Sequence, residues 1–234
     1  MSKTIIVTGA SSGIGKATCR RLLLDGNQVI GIARRIEKLS DLQLEFGNGF
    51  VPYQLDVTDV NGISELRTFL SSKNMEVDVL VNNAGVGMLG PIDEQPLEHW
   101  HTMMNVNVNG LLSMIHQFLP QIKERKGHII NIDSVAGHEV FPDATVYCAS
   151  KWAVKAISMG LDKELRGHIK VTNISPGAVE TEFVNQTTHP DKAEQMKSVF
   201  VDVLKSEDIA NAVSTAVNAP DHVVFNEITI RPFK

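Results

Sequence analysis

The sequence predicts an α/β fold in which a parallel sheet of about seven strands carries helices on both faces, the doubly wound arrangement. Two observations carry this expectation. Short apolar runs alternate with longer amphipathic segments along the chain, and repeated strand-helix-strand order implies parallel strands joined by crossover helices. The first apolar run also ends in a glycine-rich turn that opens a helical segment.

In order, strands are expected at Thr4 to Thr8, Gln28 to Ala33, Phe50 to Leu55, Val77 to Asn82, His128 to Asp133, Ile169 to Ile174 and Phe225 to Ile230. Helices are expected between them, at Gly13 to Asp25, Ile36 to Phe46, Val60 to Ser72, Leu97 to Glu124, Val146 to Arg166 and Ser206 to Asn218. In such sheets ligands bind outside the carboxyl ends of the strands, where the strand order reverses.

A chain of 234 residues fits one domain, 1-234, large enough for a substantial core. The apolar share of 43% and charged share of 21% are those of an ordinary globular protein. A net charge of -5, with Lys and Arg scattered, argues against a nucleic-acid surface, because phosphate binding leaves a basic footprint. Cys19 and Cys148 each fall inside a predicted helix and read as free thiols, implying a reducing compartment. The opening MSKTIIVTG lacks the pattern of a secretion signal, and no apolar run reaches the roughly 18 residues of a membrane span. A cytoplasmic protein without membrane or nucleic-acid partners is expected. No metal site is expected either: His99 and His101 are spaced by two, which suits no common zinc pattern, and no Cys/His cluster exists.

The first turn reads Thr8-Gly9-Ala10-Ser11-Ser12-Gly13-Ile14-Gly15. Gly9 permits a tight exit from the strand, Gly13 lets backbone approach a pyrophosphate, and Gly15 allows close packing of the helix, whose N-terminus supplies amide donors. Alone, such a turn is also a common way to leave a strand; after the first strand of an α/β pattern it reads as a Rossmann-type dinucleotide site. The second strand ends in Ala33-Arg34-Arg35, where an NAD site would carry a carboxylate for the ribose 2′-hydroxyl. An arginine pairs with a 2′-phosphate, so NADP is favoured, with NAD as the alternative and Glu37 its candidate ligand. Asp56, with Val57, ends the third strand and is a candidate for the adenine amino group; Asp56, Thr58 or Asp59 could equally cap the next helix. Asn82-Asn83-Ala84-Gly85 ends the fourth strand, its asparagines suited to tying strands together and its small residues leaving room for a ribose.

Asn107, flanked by Asn105 and Asn109, interrupts the long pattern from Leu97 to Glu124 and suggests a local kink. Ser175-Pro176-Gly177-Ala178-Val179-Glu180-Thr181 implies an irregular turn at the sheet edge, where Val179 backbone and the Thr181 hydroxyl could hold a carboxamide. The polar stretch at about 182-203 reads as a substrate lid or an ordinary surface excursion.

The chemistry centres on His128 to Lys155. Tyr147 and Lys151 are four apart and share a helix face. A phenol beside an ammonium can do acid/base work, the charge lowering the tyrosine pKa. Ser134 arrives from the preceding strand with a hydroxyl for the same point, and His138, on the loop between, is a further candidate for substrate contact. A carbonyl-reducing site is the reading of these residues.

Taken together, Thr8 to Gly15, Asn82 to Gly85, Asn107, Ser134, Tyr147-Cys-Ala-Ser-Lys151, and Pro176-Gly177 with Thr181 resemble the short-chain dehydrogenase/reductase family over essentially the whole length. The resemblance implies a tetrad: Tyr147 as general acid/base, Lys151 lowering its pKa and binding the nicotinamide ribose, Ser134 orienting the substrate oxygen, and Asn107 holding a water in a proton relay. Arg34 matches the family's NADP-preferring pattern. Asp133 departs from the second serine of many members, and Ser12 from a basic residue found in some. The ending Asn226 to Pro232, with Ala178 to Phe183, resembles the branch holding serine and 3-hydroxy acid dehydrogenases and the clavulanate-forming aldehyde reductase. Family likeness also implies a homo-oligomer, a tetramer or else a dimer. The expectation is thus an NADP-dependent oxidoreductase acting on a small carbonyl or alcohol substrate, with a non-catalytic NADP(H) sensor on the same fold as the alternative.

Overall fold

The computed structural model describes residues 2-180 and 203-233. These form a seven-stranded parallel sheet in the order β3-β2-β1-β4-β5-β6-β7, so the order reverses between β1 and β4. The strands are β1 (Thr4–Thr8), β2 (Gln28–Ala33), β3 (Phe50–Gln54), β4 (Val79–Asn82), β5 (His128–Ile132), β6 (Lys170–Pro176) and β7 (Glu227–Ile230). Register is continuous across the centre: Ile6 faces Ile30 on one side and Leu80 on the other, and Leu80 faces Ile129.

Alternate side chains of each strand enter two different cores. Ile5, Val7, Ile130 and Ile174 pack with α1 (Gly13–Leu24) and the last helix, whereas Ile6, Leu80, Ile129 and Val171 pack on the other face. That second face is covered by α3 (Val60–Ser72), α5 (Leu111–Glu124) and α6 (Thr145–Leu165). Phe118 of α5 is fully buried there, a burial that stabilises by roughly 1.5–3 kcal/mol. Being covered on both sides explains why β1, β2 and β5 are buried nearly throughout and mostly apolar rather than alternating. The edge strand β7 instead alternates between exposed and half-buried residues.

Local signals set the helix ends. The chain leaves α1 through Gly26 at φ 84°, with Gly26 N–H bonded to the Leu23 carbonyl and Asn27 N–H to that of Leu22, a Schellman closure. Asp59 caps α3, accepting from Asn61 and Gly62 N–H at 3.1 and 3.0 Å. The segment expected as one helix from Ile36 is a 3-10 turn, Ile36–Leu39, followed by α2 (Ser40–Phe46). The long pattern from Leu97 divides into α4 (Leu97–Met104), a π-helical turn (Asn105–Gly110) and α5. The kink expected at Asn107 is thus a π turn. The remaining helix is α7 (Ser206–Val217), packed on α1. Ser175 and Pro176, expected in an irregular turn, continue β6: Ser175 pairs with Thr229 and Pro176 with Ile230. Proline is tolerated because it ends the strand, where no further ladder donor is required of it. Of the stretch expected as a lid, only Val203 is among the described residues.

Candidate active site

The glycine loop sits at the carboxyl end of β1, beside the reversal of strand order. Gly9 takes φ 68° and Gly13 φ 51°, values an L side chain adopts only with strain. A Cβ on Gly15 would stand 2.1 Å from the Gly9 carbonyl oxygen, so the helix can close on the strand only with glycine there. Ser12 is the N-cap of α1, yet its side chain caps no amide, and the first turn holds no acidic residue. Neither the N-cap side chain nor an acidic residue of the first turn takes up the first-turn N–H groups, which stand at the positive end of the helix dipole. That donor set fits a phosphate group.

One cleft runs from this loop to the Tyr147–Lys151 helix. Gly9, Ser11, Ser12, Gly13, Ile14 and Gly15 line one end, and Arg34, Arg35, Asp56 and Val57 the side formed by β2 and β3. Asn83, Ala84 and Gly85 line the middle, and Tyr147 and Lys151 the far end. Arg34 is largely exposed, its guanidinium 3.9 Å from Asp56, with no carboxylate in tighter contact among the described residues. Asp56 is spent locally, its Oδ1 accepting from the Thr58 amide and hydroxyl at 2.9 and 2.8 Å. Asn83 fastens β4 to the loop: its Nδ2 donates to the Thr8 carbonyl at 2.9 Å, and the Thr8 hydroxyl accepts from Asn83 and Ala84 N–H. Asn82 reaches the other way, donating to Asn131 Oδ1 on β5 at 2.9 Å.

Lys151 is buried, donating to the Ile132 carbonyl at 2.9 Å, with Nζ 6.0 Å from the Tyr147 ring centroid. Ser134 accepts from Ala136 N–H at 3.1 Å, which leaves its own hydroxyl proton for the phenol of Tyr147, to which it is hydrogen-bonded. Asn107 is buried, and its side chain holds Val86 by both backbone groups and donates to Ser150 Oγ at 2.9 Å. Ser150 in turn donates to the Tyr147 carbonyl at 2.7 Å. Asn107 therefore shapes the wall of the cleft through Val86 and steadies the Tyr147 turn through Ser150.

The electrostatics differ from the expectation that Lys151 lowers the Tyr147 pKa. Burial pushes the phenol well above its ordinary value, with the hydrogen bond from Ser134 pulling it down and Asp133 and Cys148 raising it further. Burial likewise lowers Lys151, against the nearby Asp133 carboxylate, which raises it. Desolvation is the largest cause for both groups, and it keeps Tyr147 in its acid form.

Ser134 and Asn107 are next to this cleft but do not line it, and Pro176, Gly177 and Val179 lie at the end of β6. Gly177 N–H bonds to Ile230 and Val179 bridges Leu204. Thr181 lies outside the described residues. His138 does not line the cleft; its ring bonds to Ser175, Glu227 and Lys155. Val86 lines the cleft, as do Ile132 and Asp133, which the sequence did not single out for it. Asp133 was legible only as a departure from a serine. Among the described residues no group of three or more His, Cys, Asp or Glu could hold a metal, and no helix is long and apolar enough to cross a membrane.

Residues 3–193 match the family model for short chain dehydrogenases. A serine 3-dehydrogenase of Rhizobium radiobacter is 37% identical over 99% of this chain and 94% of its own length. A dehydrogenase/reductase SDR family member 11 of Gallus gallus is 38% identical over 98% of this chain and 96% of its own. Among solved structures, the closed form of a serine dehydrogenase complexed with NADP+ superposes with a TM-score of 0.92 at 37% identity, covering 98% of this chain and 94% of that one.

Proposed function

Since the chain belongs to the short-chain dehydrogenase family, we propose that it is an NADP-dependent oxidoreductase that interconverts a carbonyl and an alcohol on a small substrate. One observation carries the reading: the phosphate loop, the Arg34-Arg35 pair and the Tyr147–Lys151 pair line a single cleft. The similar serine dehydrogenase with NADP+ supports the same cofactor here.

The loop from Gly9 to Gly15 would hold the pyrophosphate with backbone amides, and Arg34 and Arg35 the 2′-phosphate. Asp56 and Val57 would flank the adenine, Asn83 to Gly85 would leave room for the ribose, and Pro176, Gly177, Val179 and, from the sequence pattern, Thr181 would hold the carboxamide. Bound there, the nicotinamide supplies or takes up a hydride. In reduction, Ser134 and Tyr147 hydrogen-bond the carbonyl oxygen, and Tyr147 donates its proton where alkoxide charge develops. A phenol held in its acid form by burial suits that direction. Lys151 supplies positive charge beside the resulting phenolate, and Asn107 keeps the surrounding backbone in place. The serine 3-dehydrogenase likeness points to hydroxy acids among aldehydes and ketones as substrates. A single 1-234 domain with a lid at 182-203, a homo-oligomer (tetramer or dimer) and a cytoplasmic location complete the proposal.

The test is a panel of aldehydes, ketones and 3-hydroxy acids, serine included, followed by NADPH and NADH absorbance. Turnover with NADPH is expected. Tight NADPH binding without turnover of any member would favour a sensor on the same fold.

A further inference from the structure

Behind Tyr147 and Lys151 lies a set of polar side chains that the reaction above does not use. Asp133 follows β5, is 3% exposed, and its N–H bonds to the Ile174 carbonyl at 2.7 Å. Its Oδ2 accepts from Asn173 Nδ2 at 3.2 Å and from Ser175 Oγ at 3.4 Å. Gly137 presses on this carboxylate so closely that a Cβ would stand 2.4 Å from Oδ2. Among the described residues Oδ1 has no hydrogen-bond partner, although the residue borders the cleft.

Ser175, fully buried, continues the chain, its oxygen 2.9 Å from His138 Nε2. The other ring nitrogen, Nδ1, is 2.8 Å from Lys155 Nζ. An ammonium can only donate, so Nδ1 accepts and the ring is neutral with its hydrogen on Nε2. That hydrogen faces Ser175 Oγ at 2.9 Å and Glu227 Oε1 at 2.8 Å. Ser175 can then accept from the ring and from Asn173 while giving its own proton to Asp133, and the ring hydrogen is shared between this inner chain and Glu227 at the outer end. The outer end meets solvent, the Glu227 side chain being 40% exposed.

We propose that Asp133 is a positioning residue for the acid/base pair: its carboxylate favours the Lys151 ammonium and opposes ionisation of Tyr147, and Ser175 and His138 couple its charge to solvent. This rests on the acid/base role given above to Tyr147 and Lys151. Asp133 lines the cleft together with Tyr147 and Lys151 of α6, and the Lys151 ammonium donates to the carbonyl of the preceding residue, Ile132. Asn173 and Ser175 of β6 bond its carboxylate, and His138 lies beyond Ser175. Those facing His138 are Ser175, Lys155 of α6 and Glu227 of β7, with Lys155 and Glu227 themselves 3.4 Å apart. The neighbouring Glu139 is held by Arg231 at 2.6 Å, and Cys148 acts on Tyr147. Burial raises the Asp133 carboxyl, and Lys151, Asn173, the Ser134 amide and His138 pull it back, so both ends of the chain act on it.

Two readouts test the coupling. In the whole protein labelled with 13C-histidine, with the His138 resonance assigned by His138→Gln, Asp133→Asn should lower the His138 titration midpoint by about half a unit through loss of a nearby negative charge. In a Ser175→Ala background the same step should move it less than half as far, which is the coupling through the hydroxyl. In turnover, Asp133→Asn should shift the tyrosine limb of the kcat/KM profile for reduction about one unit toward lower pH. A His138 midpoint unmoved by Asp133→Asn, or moved equally with and without Ser175, overturns the proposal. A protein that reduces no substrate would defeat the proposed function, and the His138 titration would still decide the coupling. Turnover whose pH profile is unmoved by Asp133→Asn overturns the positioning role and leaves the function standing.

Discussion

The side-chain amide of Asn107 closes a ring with the backbone of Val86, accepting from its N–H and donating to its carbonyl, both at 2.8 Å. The π turn thereby holds the loop after β4, in which Gly85 approaches both Asn107 and Lys151. Asn107→Ala removes the side-chain partner of both half-buried Val86 groups and one partner of the buried Ser150 hydroxyl, at about 1–3 kcal/mol for each group that water does not reach. A lowered urea midpoint together with reduced kcat is expected. Asn107→Asp, which keeps the acceptor but not the donor, should fall between alanine and the native residue.

Tyr147 and its acid-form phenol give the second expectation. Tyr147→Phe should lower kcat by a factor of roughly 10² to 10⁴, the range of general acid/base catalysis. NADPH affinity, read by fluorescence titration, should change little. In the native protein, reduction needs the phenol and oxidation the phenolate. Because the phenol pKa is raised, the reduction rate should hold through neutral pH while oxidation climbs steadily as pH rises. An oxidation rate that is flat above pH 7 would contradict this assignment.

Arg34 offers discrimination between cofactors. A charge-assisted hydrogen bond to the 2′-phosphate contributes about 1.5–3 kcal/mol, so Arg34→Ala should weaken NADPH by roughly 10- to 100-fold. NADH, which lacks that phosphate, should bind nearly as before. Calorimetry with both cofactors makes the comparison, and equal losses would remove Arg34 from the phosphate site.

His128 links pH to folding. Its ring is buried on β5, bonded to Thr172 at 2.8 Å, and burial with Lys170 and Lys3 lowers its pKa from 6.5 to about 3. The unfolded chain binds this proton first, so stability is complete above pH 6.5 and declines as pH falls toward 3. At pH 5 the loss is about 2 kcal/mol by linkage. His128→Gln, which can still bond Thr172, should flatten this part of the stability profile measured by urea denaturation between pH 5 and 7.

Much of this arrangement was legible in the sequence because it depends on short-range rules. The alternation of apolar runs and helical segments gave the sheet, and Gly9, Gly13 and Gly15 marked the loop because only glycine suits those φ values or that contact. The i, i+4 spacing put Tyr147 and Lys151 on one helix. Less legible were features fixed by partners distant in the chain. The π turn at Asn107 answers to Val86 and Ser150, and β6 runs on through Pro176 because β7 pairs with it. The sense of the Tyr147 shift also escaped the sequence, since a neighbouring charge is visible as spacing but desolvation is visible only in the packed state. The loop position makes His138 a candidate for substrate contact, whereas the partners of its ring, Ser175 and Glu227, come from β6 and β7 and are visible only in the fold.

The π turn from Asn105 to Gly110 also constrains chain length. An α-helix advances its side chains by about 100° per residue. A π turn closes from i to i+5 in place of i to i+4, so it takes up one extra residue while the helices on either side keep their angular phase. Deleting one residue there would restore regular helical geometry and leave Phe118 and Ile122 facing the core they fill, but remove the bulge that carries the Asn107 side chain to Val86. The turn therefore stores one residue of slack between two packed helices, and a one-residue deletion within it should spare the core and damage the cleft.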